Sequence, residues 1–199
     1  MFPILDELDL ATLTLQPPET KNGRTSAALK LDGKAPYFNL CRTRNAPVRC
    51  KYRLDQVRDG EDGARRGLSV ELEEWQAAAL EAVDQKVVKM VAAQSKALFK
   101  RELSVAEVRE RYEPIVKVRE DSAKLMKMKV KTTGYSTKLY LSDETPAELS
   151  LLEDEPCEVV PILSAPLVWV MGPRFGVVVQ AEAMIVHPRE RDVFEGFAP

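Results

Sequence analysis

Two short stretches of this chain alternate cations with apolar residues, and the alternation restricts what they can become. Arg49, Lys51 and Arg53 interleave with Val48, Cys50, Tyr52 and Leu54, and Lys127, Lys129 and Lys131 interleave with Met126, Met128 and Val130. Successive side chains on a strand point to opposite faces, so a period of two predicts a half-buried strand with one cationic face. Tyr52 shares the parity of the apolar side and is assigned to the core. The same sorting of charge extends along the chain. Residues 21–58 hold ten Lys/Arg against two Asp, and residues 122–142 hold five Lys and no acid. Acids collect elsewhere, four in residues 1–20 and seven in residues 143–158, with no Lys or Arg in either stretch. The formal net charge is −2, so a cationic surface would be a local feature, and it would favour a polyanion. Ordinary solvated strand faces would show the same pattern.

At 199 residues and 45% hydrophobic content the chain suits one domain with a sizeable core. It contains no apolar run of about 18 residues, so no membrane span is expected. Asp6, Glu7 and Asp9 near the N-terminus, with no basic residue beside them, argue against a signal peptide. Cys41, Cys50 and Cys157 match no zinc or redox spacing and fit buried thiols in a reducing, intracellular compartment.

Leu31-Asp32-Gly33-Lys34 predicts a type I′ hairpin, because Asp-Gly tolerates positive φ at both central positions. Strands expected at Leu10 to Leu15, Ala27 to Leu31, Tyr37 to Cys41 and Val48 to Leu54 make the first quarter a β-meander. Arg58 to Gly67 reads as a polar, solvated loop whose acids lack calcium-loop spacing. A long helix is expected from Ser69, with Trp75 as a core anchor on its apolar face. A second helix starts at the capping box Ser104-Val105-Ala106-Glu107 and ends before Pro114. Strands resume at Met126 to Lys131 and Lys138 to Leu141, followed by an acidic loop over residues 143–158. An apolar segment from Val159 to Met171, with bends or edges at Pro161 and Pro166, then a turn at residues 172–176 and a last strand Val177 to Val186 complete the order. The expected fold class is α+β: a small β-barrel with a helical insertion of two helices at residues 69–113. It forms one domain spanning residues 1–199, with a short C-terminal extension at 188–199.

Nothing in the sequence assembles a catalytic site. His187 is the only histidine, and no nucleophile partners it. There is no phosphate loop, nucleophile elbow or metal-ligand cluster, so no metal and no cofactor is expected. Binding is better supported. Cations track phosphates while aromatic rings stack on bases, the combination that single-stranded nucleic acid requires. The candidate nucleic-acid-binding residues are Arg49, Lys51, Arg53, Lys127, Lys129, Lys131, Lys138 and Arg174, with Tyr135 and Phe175 as stacking platforms at turns.

Three stretches together resemble a known family. They are the hairpin Leu29 to Lys34, the helical region from Leu103 to Lys117 with Lys127-Met128-Lys129-Val130 after it, and Val159 to Leu163 continuing through Leu167 to Val170 and Phe175 to Val186. The chain resembles single-stranded DNA-binding proteins of nucleocytoplasmic large DNA viruses and, more distantly, the oligonucleotide-binding-fold protein of short-tailed lytic phages. The resemblance implies an oligonucleotide-binding (OB) barrel and sequence-tolerant binding of single-stranded DNA in replication or recombination. It also implies a nuclear site or a cytoplasmic site of viral-type DNA replication, and replication proteins as further partners. It places the basic positions on Lys127, Lys129 and Lys131 and the turn aromatic on Phe175. The phage relatives end in a long acidic tail, whereas this chain ends Arg191-Asp192-Val193-Phe194-Glu195-Gly196-Phe197-Ala198-Pro199, which leaves tail-mediated recruitment in doubt. An RNA-binding barrel, an assembly protein that self-associates through complementary charge blocks, and a hydrolase with a carboxylate pair stay open as alternatives.

Overall fold

The computed structural model describes residues 2–57, 64–154 and 157–188. In chain order the elements are β1 (Leu13–Leu15), β2 (Glu19–Lys21), β3 (Arg24–Leu31), β4 (Tyr37–Asn39), β5 (Val48–Arg49) and β6 (Arg65–Glu71). Helices α1 (Glu74–Ala93), α2 (Ser95–Phe99) and α3 (Val105–Arg111) follow. After them come β7 (Tyr112–Glu113), β8 (Val116–Val118), β9 (Lys124–Lys131), β10 (Lys138–Tyr140), α4 (Ser150–Glu153), β11 (Glu158–Met171) and β12 (Arg174–His187). The protein is mixed α+β, with its strands joined in one curled half-barrel sheet.

The spine of that sheet is the antiparallel hairpin of β11 and β12, two strands of 14 residues each. Its turn is Gly172-Pro173, where Gly172 takes φ +58, a conformation open to glycine at little cost. Register shifts at Ile162/Leu163 and Ser164/Leu167 bend the hairpin, and Pro166 sits in the second. Bulges of this kind sharpen the local twist, so the two halves of each long strand serve different neighbours. On one edge β11 pairs with β3, β4 and β5. On the other, β12 pairs in parallel with β7, β9 and β10.

The pairings also run back on themselves. From β11 they pass to β12, to β9 and to β6. A bridge between Val70 and Cys50, just past β5, returns them to β11. Inside this ring lie Leu68 and Val70, Met126, Met128 and Val130, Val159 and Leu163, and Met184 and Val186, each 2% exposed or less. The remaining length of the hairpin is covered by helices. α1 buries Ala77, Leu80, Val83, Val87 and Val91, a stripe at helical spacing. Leu80 and Val83 of that stripe face Leu29, Phe38 and Val179 of the sheet across a small apolar void.

Several expectations hold and several are corrected. The Asp32-Gly33 turn forms with φ +49 and +74, closed by reciprocal hydrogen bonds of 2.8 and 3.0 Å between Leu31 and Lys34. The meander stops there, however, because β4 leaves β3 and pairs with β11. The strand expected from Val48 to Leu54 is regular only through Arg49. Beyond the Cys50 bridge the alternation lapses, and Tyr52 is 45% exposed rather than core. Ser69 to Glu71 belong to β6, and the helix begins at Glu74, where Gln76 Oε1 accepts from the Glu73 backbone at 2.8 Å. The insertion contains three helices instead of two, because the long helix breaks at Gln94, where φ is −110 and ψ 14, and α2 then ends at Lys100 with φ +62. The Ser104 box is present, with the Ser104 hydroxyl accepting from Glu107 N at 3.3 Å and Glu107 accepting from Ser104 N at 2.8 Å. Trp75 is half-buried, with the Arg42 guanidinium 4.4 Å above its ring. Most of the Arg58 to Gly67 loop and the C-terminal extension lie outside the described residues; Arg65 to Gly67 are strand.

Candidate nucleic-acid interface

Register sets the outward side chains of the sheet in rows that cross several strands. One row runs Asn39, Ile162, Ala183, Lys138. The next, two residues along, runs Val160, Ile185, Tyr140, and a third runs Arg49, Glu158, His187. Rows two residues apart share a face and lie about 7 Å from one another, with strands about 4.8 Å apart. The patch is therefore about 14 Å across its widest row. Its floor is apolar because both strands here are apolar on both parities. Val159, Leu163, Met184 and Val186 fill the interior, and Val160, Ile162, Ala183 and Ile185 are left half-buried on the outside. Over that floor lies a cleft of about 740 Å³, walled by Phe2, Arg42, Arg44 and Tyr140. Phe2 stacks on Tyr37 at 5.3 Å beside it, and both rings are more than a third exposed.

The cations divide into paired and unpaired groups. Lys127, Lys129 and Lys131 share the outward face of β9, with Met126, Met128 and Val130 inward. Lys127 lies across Gly67, where a Cβ would sit 2.0 Å from the Lys127 Cε, and its Nζ reaches Asp55 at 2.5 Å. Lys51 is held by Glu71 at 3.0 Å and Asp121 at 3.5 Å. Its hydrogen bond to Glu71, then the charge of Glu71, holds its ammonium above the usual lysine range. Arg174 pairs with Glu113 at 3.3 Å. At the cleft wall Arg42 pairs with Asp6 at 2.5 Å and Arg44 with Glu144. Arg49, Arg53, Lys129, Lys131 and Lys138 make no ion pair among the described residues. A paired surface cation gains less from a phosphate, because its own acid must first be displaced or left beside the incoming charge.

Of the ten sequence candidates, the structure groups Lys129, Lys131, Tyr135 and Lys138 around the β9–β10 connection. Gly134 takes φ +68 at its tip. Thr137 pins its base, donating to Ala181 O at 2.8 Å and accepting from Lys131 N at 2.9 Å. The preceding residue pair is thereby pushed outward, and Tyr135 is 97% exposed. Arg49 borders the floor from the opposite edge, and Lys51, Arg53 and Lys127 lie off it. Arg174 and Phe175 are at the far end of the hairpin. Phe175 corrects the platform assignment: it is 0% exposed, 5.0 Å from Tyr112 and 5.8 Å from Phe99. The turn has only two residues, so Phe175 already sits in the ladder opposite Val170 and points inward. A ring with no open face cannot stack on a base.

The floor itself was not among the sequence candidates. Its signal was present, since Val159 to Leu163 and Ala183 to Val186 are continuous apolar runs. Such runs mark strands with an apolar surface on both faces. The pairing of distant strands brings Tyr140, Phe2 and Tyr37 to this one face. Among the described residues no group of three His, Cys, Asp or Glu is placed to hold a metal ion.

No family model matches this chain, and no curated protein matches it. Solved structures of a single-stranded DNA-binding protein from bacteriophage Enc34 are similar in outline. The complex with ssDNA is 12% identical with a TM-score of 0.47, over 89% of this chain and 97% of that one. The uncomplexed protein is 10% identical with a TM-score of 0.45, over 94% and 96% of the two chains. A C-terminal truncation of it is 11% identical with a TM-score of 0.48, over 89% and 96%. All three are structures of one phage protein, and none is from a large eukaryotic DNA virus.

Proposed function

We propose that this chain binds single-stranded DNA, without strong sequence preference, on the outer face of an OB-type barrel. The observation that carries the reading is the cleft floor: apolar, bordered by exposed or half-buried rings, and flanked at opposite edges by the unpaired cations Lys138 and Arg49. Bases gain from leaving water against Val160, Ile162, Ile185 and Tyr140, and phosphates gain from the cations beside them. A duplex keeps its bases stacked inside and has nothing to offer an apolar floor. Single strands are thus preferred for a physical reason independent of sequence. The work that follows from such binding is protection of exposed strands during replication or recombination, and no catalytic group is required for it.

The opposed charge blocks bear on the assembly alternative. Arg44 pairs with Glu144, and Arg66 with Glu153. Two acids of the 143–158 block are therefore engaged by basic residues of the same chain, and fewer are left to hold a second copy. The deciding experiment is titration of fluorescent ssDNA, duplex DNA and ssRNA of equal length at two salt concentrations. Tighter binding of ssDNA than duplex, weakened by salt, is the expected result. Equal affinity for duplex, or none for any strand, would overturn the proposal, and a preference for ssRNA would move the assignment to RNA.

A further inference from the structure

Cys50 and Cys157 stand opposite one another on the strand pair that closes the ring. The register of β5 against β11 pairs Arg49 with Glu158 and Val48 with Val159. Continued one residue further, it sets Cys50 against Cys157, and Cys50 N donates to Cys157 O at 2.8 Å. Directly opposed residues of an antiparallel pair have Cα atoms about 4.5 or 5.5 Å apart, and both spacings fall within the disulfide range of about 4.4–6.8 Å. The two side chains turn to the same side, with Sγ–Sγ 3.8 Å, and no disulfide joins them in this structure. Cys41, the third cysteine, is placed differently, with its Sγ 4.0 Å from Val159 O.

We propose that Cys50 and Cys157 form a redox modification site: a latent intrachain disulfide that locks β5 to β11 at the seam of the barrel. In the closed structure the thiols are 1% and 2% exposed. The hydrogen bond to Cys157, with burial adding to it, pushes the Cys50 thiol far up, so neither reacts while the seam is shut. β5, however, is a strand of two residues, joined to β6 by a single bridge. Short, weakly paired elements open locally without global unfolding. A low-molecular-weight disulfide of the glutathione type is then the two-electron oxidant. The thiolate of one cysteine attacks it, forming a mixed disulfide and releasing one small thiolate. The thiolate of the other cysteine attacks the protein sulfur of that mixed disulfide and expels the second small thiolate. The two protons lost by the cysteines are taken up by the two small thiolates.

The test uses the full chain, incubated with glutathione disulfide in mild urea and then mapped by peptide mass spectrometry without reduction. The expected product is one peptide pair joining Cys50 to Cys157, lighter by two hydrogens, with Cys41 still a thiol. The locked protein should melt higher, because the bond spans 107 residues and constrains the unfolded chain, and reductant should return the original melting point. Cys41→Ser should still form the bond, whereas Cys50→Ser and Cys157→Ser should not. Three thiols persisting after prolonged exposure, a glutathione adduct on Cys50 that never resolves, or a bond involving Cys41 would each overturn the proposal. The mapping on wild-type protein decides even if a serine variant fails to fold.

Discussion

Replacing Lys129, Lys131 and Lys138 together by Gln tests the proposed interface on its electrostatics. All three sit around the β9–β10 connection, two on the outward face of β9 and one at the edge of the cleft floor, and none has an ion-pair partner among the described residues. Each phosphate neutralised on a single strand contributes roughly 0.7 to the slope of log affinity against log salt. If each lysine meets one phosphate, the triple variant should lose about 2 from that slope. At about 0.1 M salt this corresponds to about a hundredfold weaker binding, or about 2.8 kcal/mol. Folding should be nearly unaffected, since exposed charges away from tight contacts change stability by less than about 0.5 kcal/mol. A matched control, Lys127→Gln, removes a lysine that Asp55 already holds at 2.5 Å, and its slope should stay close to wild type. The assay is fluorescence anisotropy of labelled oligothymidylate across a salt series, with a melt on each protein. An unchanged slope in a folded triple variant would falsify the assignment of this face. A slope reduced equally by Lys127→Gln would show that ion pairing does not sort the cations.

Three further outcomes follow from named groups. Tyr140→Ala should weaken binding of a single strand by about 1–3 kcal/mol if a base stacks there, measured by the same titration; an affinity unchanged at low salt removes the ring from the site. Phe175→Ala should cost about 3–5 kcal/mol of folding stability in a denaturant melt and leave affinity intact once folded, and a stable variant that binds poorly would restore the platform reading. Asp84 is buried, its Oδ1 accepting from the Tyr112 hydroxyl at 2.5 Å and its Oδ2 from Ile115 N at 3.0 Å. Burial pushes its carboxyl up from 3.8 to about 7. The unfolded chain therefore releases this proton first, and the stability that the neutral acid provides is full below about pH 4 and lost as pH rises to about 7, on the order of 4 kcal/mol in all. Asp84→Asn should flatten that slope in urea melts at several pH values, because its amide can donate to Tyr112 and accept from Ile115. A wild-type stability that rises from pH 4 to 7 would contradict the direction.

Local chemistry made parts of the fold legible. The Asp32-Gly33 turn, the Ser104 box and the Met171 end of β11 are each set by a few adjacent residues whose conformational preferences tertiary contacts do not oppose. The errors fall where a distant partner decides. Ser69 to Glu71 carry the spacing of a helix entry, but seven consecutive pairs with β9 hold Arg65 to Glu71 extended. The alternation from Val48 to Leu54 predicted a strand of that length, yet the pairing with β11 and the bridge to β6 end by Cys50. Tyr52 is consequently released to solvent. Phe175 was misread because a turn flanked by glycines suggests a free tip. Phe175 shares the parity of Val179 and Ala181, which the ladder turns inward.

The site was half legible for a related reason. Charge alternation identifies a cationic face, and Lys129, Lys131 and Lys138 do face outward, but alternation cannot tell a cation that faces solvent from one that faces an acid. Asp55 and Glu71 reach Lys127 and Lys51 from segments remote in sequence, and only the fold makes those pairs. The apolar floor shows the complementary limit. A strand apolar on both parities must be covered twice, once by the core and once by something else. For the far half of the hairpin the core side is covered by helices. For the cleft half, the ring interior covers Val159, Leu163, Met184 and Val186, and Val160, Ile162, Ala183 and Ile185 remain half-open beneath a cleft of about 740 Å³. Water is a poor neighbour for four aliphatic side chains in a row, and a cation-bordered apolar trough fits a ligand that pairs flat apolar surface with regularly spaced negative charge. A single strand of nucleic acid has both, and a duplex exposes only the charge.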